Sequence, residues 1–267
     1  MHRHIILTRP AGKNSLLQSL LLETGFQVTE LPAIERFPLP LTAREVPDIA
    51  SYSLVFFVSG YAVQVFFETL AKYGRSWPKG LYAGAVGMAT ANALLAQGVP
   101  PEQIIYPDPK AEYQDSEAFF DELIKKDLQT FTSVLVVRGQ AGRQWLAEKL
   151  QGLNIPVTFL SVYERKPRLW TVAESEQMSV LCQSNKIICW LLTSKESVDS
   201  VFSELKRNGL VQYCLDHHFV VTHPRISERL RDHLNRAMAE YGLPKKTVVI
   251  NICQPSDASI FEKLSIA

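Results

Sequence analysis

The feature that most constrains this chain is a repetition. The stretch 134–165, VLVVRGQAGRQWLAEKLQGLNIPVTFLSVYER, opens on four apolar residues and turns at Gly139, Ala141 and Gly142. It then runs through an amphipathic segment bearing Trp145, Leu146 and Leu150 and closes in a second β-prone run. Strand, turn, helix, strand is one βαβ unit. The N-terminus repeats it: a shift of 129 positions lays Arg9 on Arg138, Leu17 on Leu146, Leu21 on Leu150, Val28 on Val157, Leu31 on Leu160 and Glu35 on Glu164. A weaker match sets Phe57-Val58-Ser59, with Val63, Phe67 and Leu70, against Leu192-Thr193-Ser194, with Val198, Phe202 and Leu205. A duplicated α/β unit follows from such self-similarity.

The rest of the chain keeps the same alternation. Strands are expected at 5–8, 27–31, 54–58, 81–86, 103–106, 134–137, 157–162, 186–192, 219–222 and 247–250, nearly all followed by helical periodicity. That pattern belongs to parallel sheets covered on both faces, and 267 residues suit two doubly wound, five-stranded α/β domains. Two breaks interrupt it. Pro32, Pro38, Pro40 and Pro47 mark a linker and a surface segment, and Pro167 lies inside a second break at 164–168. A cut near residue 130 divides the strands five and five. So does an interleaved cut that puts 1–36 plus 166–267 in one domain and 40–162 in the other, with the two breaks as crossings. Periodicity alone leaves both open.

A formal charge of +1 lacks the basic excess of a nucleic-acid-binding surface. No apolar run reaches the roughly 20 residues needed to span a bilayer, and the opening MHRHIILTRP enters a strand without a signal-peptide apolar core. Cys182, Cys189, Cys214 and Cys253 show no metal or redox spacing, as expected of a reduced cytoplasmic protein. The histidines, His217-His218 and His2/His4 among them, have no clustered cysteine or carboxylate partners, so no metal is expected.

In open parallel sheets ligands bind beyond the carboxyl ends of the strands. The turns there offer Arg9 and its repeat partner Arg138, Ser59-Gly60, Thr90, Thr193-Ser194 and His223. Hydroxyls and glycines at helix starts, beside arginines, suit a ligand with several carboxylates or phosphates, although the same residues serve as helix caps. Neither a GxxxxGK[ST] loop nor a GxGxxG loop is present.

The order of ILTRP, ELPAIE, FFVSGYAV, AVGMATANAL, VLVVRG, LSVYER and WLLTSKESV along nearly the whole chain resembles the uroporphyrinogen-III synthase family. The resemblance implies two flavodoxin-like α/β domains of interleaved connectivity (1–36 plus 166–267, and 40–162). They would be joined by a two-stranded linker at 32–40 and 162–168, with substrate held between the domains. It also implies a cofactor-free cytoplasmic hydro-lyase that closes linear hydroxymethylbilane to uroporphyrinogen III, with ring D inverted, in tetrapyrrole biosynthesis. Such a protein would be a monomer without nucleic-acid or membrane partners, in passing contact with hydroxymethylbilane synthase. By position Tyr163 matches the linker tyrosine proposed to help the hydroxyl leave, and Thr90, Ser59, Thr193 and Ser194 match hydroxyl-bearing turns of the family. The turn at His223 departs from the Gly-Pro-Thr-Thr of some relatives, which puts a hydroxyl contact there in doubt. A two-lobed small-anion binding protein and a sugar- or nucleotide-phosphate enzyme are the competing readings. The first normally follows a signal peptide or DNA-binding headpiece, and the second wants a phosphate loop.

Overall fold

A computed structural model describes residues 3–108, 115–184, 186–243 and 246–266. The chain opens with β1 (Arg3–Leu7), α1 (Ser15–Glu23), β2 (Gln27–Glu30) and β3 (Ile34–Pro38). It continues through β4 (Leu54–Phe57), α2 (Gly60–Lys72), β5 (Tyr82–Ala85), α3 (Met88–Ala96), β6 (Ile104–Ile105) and α4 (Ser116–Lys125). Next come β7 (Val134–Gly139), α5 (Trp145–Gly152), β8 (Val157–Pro167), α6 (Val172–Cys182), β9 (Ile187–Leu192) and α7 (Lys195–Arg207). The last elements are β10 (His218–Val221), α8 (Pro224–Glu240), β11 (Val249–Ile252) and α9 (Asp257–Ile266).

Two compact units result: Met1–Glu35 with Lys166–Ala267, and Arg36–Arg165. The first holds a sheet of order β11-β10-β9-β1-β2, with every pair parallel. Counted from β2 this is the 2-1-3-4-5 order of the flavodoxin-like fold. The other sheet has the order β3-β8-β7-β4-β5-β6, parallel from β8 to β6. Its β8-β7-β4-β5-β6 portion repeats the first arrangement, with β7 in the place of β1 and β4 in that of β9. The two halves of the fold are thus the same but occur in opposite chain order. The repeat is visible in the helices as well, since α1 at 15–23 shifted by 129 gives 144–152, and α5 spans Trp145–Gly152.

The apolar runs are buried on both faces. In unit 1, Ile5 and Leu7 pack with Leu17, Leu21, Ile260 and Leu264, whereas Ile6 faces Trp190, Phe219 and the α6–α8 side. In unit 2, Val55, Phe57, Leu135 and Val137 meet α2 and α3, and Leu54, Phe56, Val134 and Val136 meet α4 and α5. Each fully buried Leu or Phe of this kind contributes about 2 kcal/mol.

The expected count of ten strands is corrected to eleven, five in one sheet and six in the other among the described residues. The additional strand is β3, within the segment where the prolines had suggested a linker and where the family resemblance implied one strand of a two-stranded linker. The second expected break is a continuation of β8 through Glu164, Arg165 and Lys166. Leu39 N–H donates to Val162 O (2.9 Å) and Arg168 N–H donates to Ala33 O (2.9 Å), so β3 and β8 run antiparallel. Pro38 and Pro167 end their strands, where a missing N–H costs least.

Candidate active site

Because strands β8, β7, β4 and β5 are parallel neighbours, their carboxyl ends form one edge of unit 2, where Tyr163, Arg138, Ser59-Gly60 and Thr90 all lie. In unit 1 the ends of β1, β9 and β10 bring Arg9, Thr193-Ser194 and His223 to the corresponding edge. In both units the strand order reverses between the two central strands of this set, β1/β9 and β7/β4. That is where open α/β sheets take their ligands.

Several of these side chains cap helices. Ser59 Oγ accepts from Ala62 N–H (3.2 Å) and Ser194 Oγ from Ser197 N–H (3.0 Å), with Ser197 Oγ accepting from Ser194 N–H in return (3.1 Å). His223 Nδ1 accepts from Arg225 N–H (3.1 Å), so the neutral ring carries its proton on Nε2. Capping occupies an acceptor lone pair and leaves a donor: the O–H protons of Ser59 and Ser194 and His223 Nε2–H have no acceptor among the described residues. Thr193 is half-buried and Thr90, in the first turn of α3, is 3% exposed. Gly60 lies against α3, where an added Cβ would meet Ala93 Cβ at 3.5 Å, an ordinary contact.

The two repeat-related arginines differ. Arg9 is closed by its own unit: Nε donates to Asn14 Oδ1 (2.9 Å) and Nη1 to Asp257 Oδ1 (2.7 Å). Its Nη2 is buried without an acceptor among the described residues and out of reach of solvent. Arg138, 7% exposed, donates from Nε to Gly139 O (3.1 Å), from Nη1 to Arg143 O (3.5 Å) and from Nη2 to Gly142 O (3.0 Å). Its guanidinium stands 5.0 Å from the centre of the Phe159 ring, and no carboxylate touches it among the described residues.

Tyr163 sits at a register shift between β7 and β8, opposite Gly139. A Cβ on Gly139 would fall 2.8 Å from Tyr163 Cε2, so glycine makes room for the ring. Tyr61 meets the ring edge-on at 5.1 Å, and Arg36 lies 4.5 Å over Tyr61. The Tyr163 ring is buried, and its hydroxyl has no hydrogen-bond partner among the described residues. Tyr61 donates its own hydroxyl to Arg36 O (3.2 Å), and partial burial raises its pKa above the ordinary phenol value despite the nearby Arg36 charge. Tyr61 and Arg36 were missed as site residues: FFVSGYAV and ELPAIER are remote in sequence and meet only because β3 pairs with β8.

Burial pushes the Cys182 and Cys189 thiols up to about 12, so neither offers a thiolate nucleophile near neutral pH. No group of three or more potential metal ligands occurs among the described residues.

A family model, HEM4: Uroporphyrinogen-III synthase HemD, matches residues 15–241. The chain belongs to the uroporphyrinogen-III synthase family. Uroporphyrinogen-III synthase of Escherichia coli (strain K12) is 27% identical over 233 residues, covering 85% of this chain and 90% of that protein. The Salmonella typhimurium (strain LT2) uroporphyrinogen-III synthase is 29% identical over 204 residues, 74% of this chain and 78% of that one. Among solved structures, uroporphyrinogen-III synthetase from Helicobacter pylori 26695 aligns with a TM-score of 0.57 at 17% identity, over 99% of this chain and 100% of that one. A mutant uroporphyrinogen III synthase from Thermus thermophilus aligns with a TM-score of 0.55 at 15% identity, over 100% of this chain and 98% of that one. At these identities the structural likeness is one of fold, and it is the fold of this synthase family.

Proposed function

We propose that the protein is a uroporphyrinogen-III synthase: it closes linear hydroxymethylbilane to uroporphyrinogen III with loss of water and inversion of ring D. The family match across most of the chain carries this reading. Loss of the ring A hydroxyl leaves an electrophilic azafulvene, which ring D attacks through its substituted carbon. The resulting spiro-pyrrolenine fragments and recloses with the ring turned over. Direct closure gives the uninverted isomer, so the protein's task is to hold one carbon rather than its neighbour at attack distance.

The substrate bears eight carboxylates, and the donors at the strand ends fit that charge. Ser59, Thr193, Ser194, Thr90 and His223 supply hydroxyl or imidazole donors, Gly60 backbone, and Arg138 a cation; Arg9 orders its own turn. Tyr163 acts as general acid or hydrogen-bond donor to the departing hydroxyl, using a phenol O–H that no neighbour takes among the described residues. The reaction places the enzyme among the hydro-lyases and asks for no cofactor. It works in the cytoplasm as a monomer, in transient contact with the synthase that releases the unstable bilane.

The test is to incubate the protein with freshly made hydroxymethylbilane, oxidise, and separate the uroporphyrin isomers. Type III is expected, and type I alone rejects the reading. Tyr163→Phe is expected to lower turnover at least tenfold, about 1.4 kcal/mol of barrier, with unchanged thermal unfolding. Full activity removes the phenol from the mechanism.

A further inference from the structure

Beside Arg138 lies a hollow of about 250 Å³ in unit 2, bounded by Val58, Val86, Ser116, Ala141 and Gly142 at the ends of β4, β5 and β7. It is smaller than the pockets that enclose whole drug-sized ligands, so it has room for one arm of a larger molecule. Three properties define what that arm must be. The wall holds a guanidinium that is 7% exposed and has no carboxylate partner among the described residues. A buried charge without a counterion is costly, and backbone carbonyls with one aromatic face offset only part of that cost. Donor arithmetic gives the second property. A guanidinium has five N–H groups, and the bonds to Gly139, Gly142 and Arg143 take three, one from each nitrogen. The remaining two sit one on each terminal nitrogen, enough donors for the two oxygens of one carboxylate. Finally, the same three carbonyl bonds hold the guanidinium in place before any ligand arrives, so little side-chain entropy is lost on binding.

Among the described residues two acids stand close by, and neither fills this role. Asp115 borders the hollow, but its Oδ1 accepts from Ala118 N–H (2.9 Å) as the cap of α4. Glu117 is bonded to Arg143 at 2.5 Å.

We infer that this hollow is a preformed carboxylate pocket, in which Arg138 takes the two oxygens of a single acetate- or propionate-length arm. The identity of the arm as a side chain of the linear tetrapyrrole rests on the proposed function; its charge and length rest on the hollow itself. Arg9, at the same place in the repeat, is not left open in this way, because Asp257 already bonds its guanidinium.

The experiment uses the whole protein, Arg138→Lys, and Ala141→Leu, which fills the hollow from an exposed position and leaves the buried arginine alone. Succinate is titrated against each while the Arg138 Nε–H signal is followed by ¹H–¹⁵N spectroscopy, and KM and kcat for hydroxymethylbilane are measured separately. A saturable shift is expected in the wild type and not in Ala141→Leu, with KM raised about tenfold in both variants and kcat within about twofold. If Arg138→Lys does not fold, Ala141→Leu decides alone. Wild-type synthase activity with no succinate shift and an unchanged KM in Ala141→Leu overturns the pocket and leaves the proposed reaction intact. A succinate shift that Ala141→Leu abolishes, in a protein yielding only type I product, keeps the carboxylate pocket and removes the proposed reaction.

Discussion

Arg9 and Arg138 are the same residue in two copies of one βαβ unit, yet their surroundings differ, and a substitution between the copies accompanies the difference. Position 14 is Asn in the first copy, and its partner under the repeat, position 143, is Arg. In unit 1 the acid at the start of the last helix, Asp257 of α9, bonds Arg9. In unit 2 the acid at the start of the corresponding helix, Glu117 of α4, bonds Arg143 instead, and Arg138 is left with carbonyl oxygens. One copy has turned its arginine into scaffold and the other has kept it open. Duplication supplies two equivalent turns; what each can do is decided by which residue captures the nearby carboxylate.

The sharpest way to break the equivalence is acid. All six histidines fall in unit 1 by sequence and none in unit 2. Burial lowers His217 to about 4, and its Nδ1 accepts from Trp190 Nε1–H (3.0 Å). His4 is lowered as well, chiefly by burial. With the folded value below the unfolded one near 6.5, the unfolded chain takes up the proton first. The stability associated with neutral His217 is therefore complete above pH 6.5 and is lost as pH falls toward 4, by about 3 kcal/mol. Urea unfolding at pH 7 and pH 4.5, with Trp190 emission reporting unit 1 and Trp77 and Trp145 unit 2, should show unit 1 weakening first. Equal loss in both units would assign acid sensitivity to carboxylates instead.

Next in size is Gly139→Ala. Position 10, its partner in the first copy, is Pro, so this turn never had a common requirement for glycine. In unit 2 the new methyl would meet the Tyr163 ring at 2.8 Å, and Tyr163 is itself backed by Tyr61. Overpacking of this kind costs roughly 2 kcal/mol. A fall in unfolding midpoint together with a drop in activity larger than that of Tyr163→Phe is expected. An unchanged midpoint would mean the ring moves freely and is not held for catalysis.

The alternating strands and helices were legible because both faces of each parallel sheet are buried, which writes apolar runs such as IILT, LVFF and IICWLL directly into the chain. The β3–β8 pair was not legible in the apolar periodicity, because prolines at 38 and 167 read as breaks; only the family resemblance implied a two-stranded linker there. Nor did apolar periodicity choose between the contiguous and interleaved cuts, since strand neighbours such as β1 and β9 are joined by contacts across most of the chain. At the site, the residue types were visible and their states were not. Arg9 and Arg138 look alike until Asp257, 248 positions away, is seen to bond one of them. The serines could be read as caps or as ligands, and the geometry makes them caps with a proton to spare.

Asp257→Asn tests the closed arginine. Its partner Arg9 has a side chain only 13% exposed, so losing the charge leaves a largely buried guanidinium with Asn14 alone, at about 2 kcal/mol. Glu117→Gln is the matched change in unit 2, where Arg143 is 67% exposed, and less than about 0.5 kcal/mol is expected. Thermal unfolding of the two variants should differ by several degrees. Similar losses would contradict the assignment of Arg9 to scaffold and Arg143 to surface.

The smallest effects separate cap from donor at the two equivalent serines. Ser194 joins a reciprocal box with Ser197, whereas Ser59 makes a single bond to Ala62 N–H. Ser194→Ala should therefore cost about 1 kcal/mol and Ser59→Ala somewhat less. Replacement by Gly costs only a few tenths of a kcal/mol at a cap position, yet it removes the hydroxyl proton as fully as Ala does. Stability and binding thus move apart in the Gly variants. If Ser59 and Ser194 hold substrate carboxylates, Ser59→Gly and Ser194→Gly raise KM as much as the Ala changes do while unfolding near the wild-type midpoint. If KM instead tracks the midpoint through all four variants, both serines are caps only, and the donors for the substrate must be sought in the backbone N–H groups of the same turns.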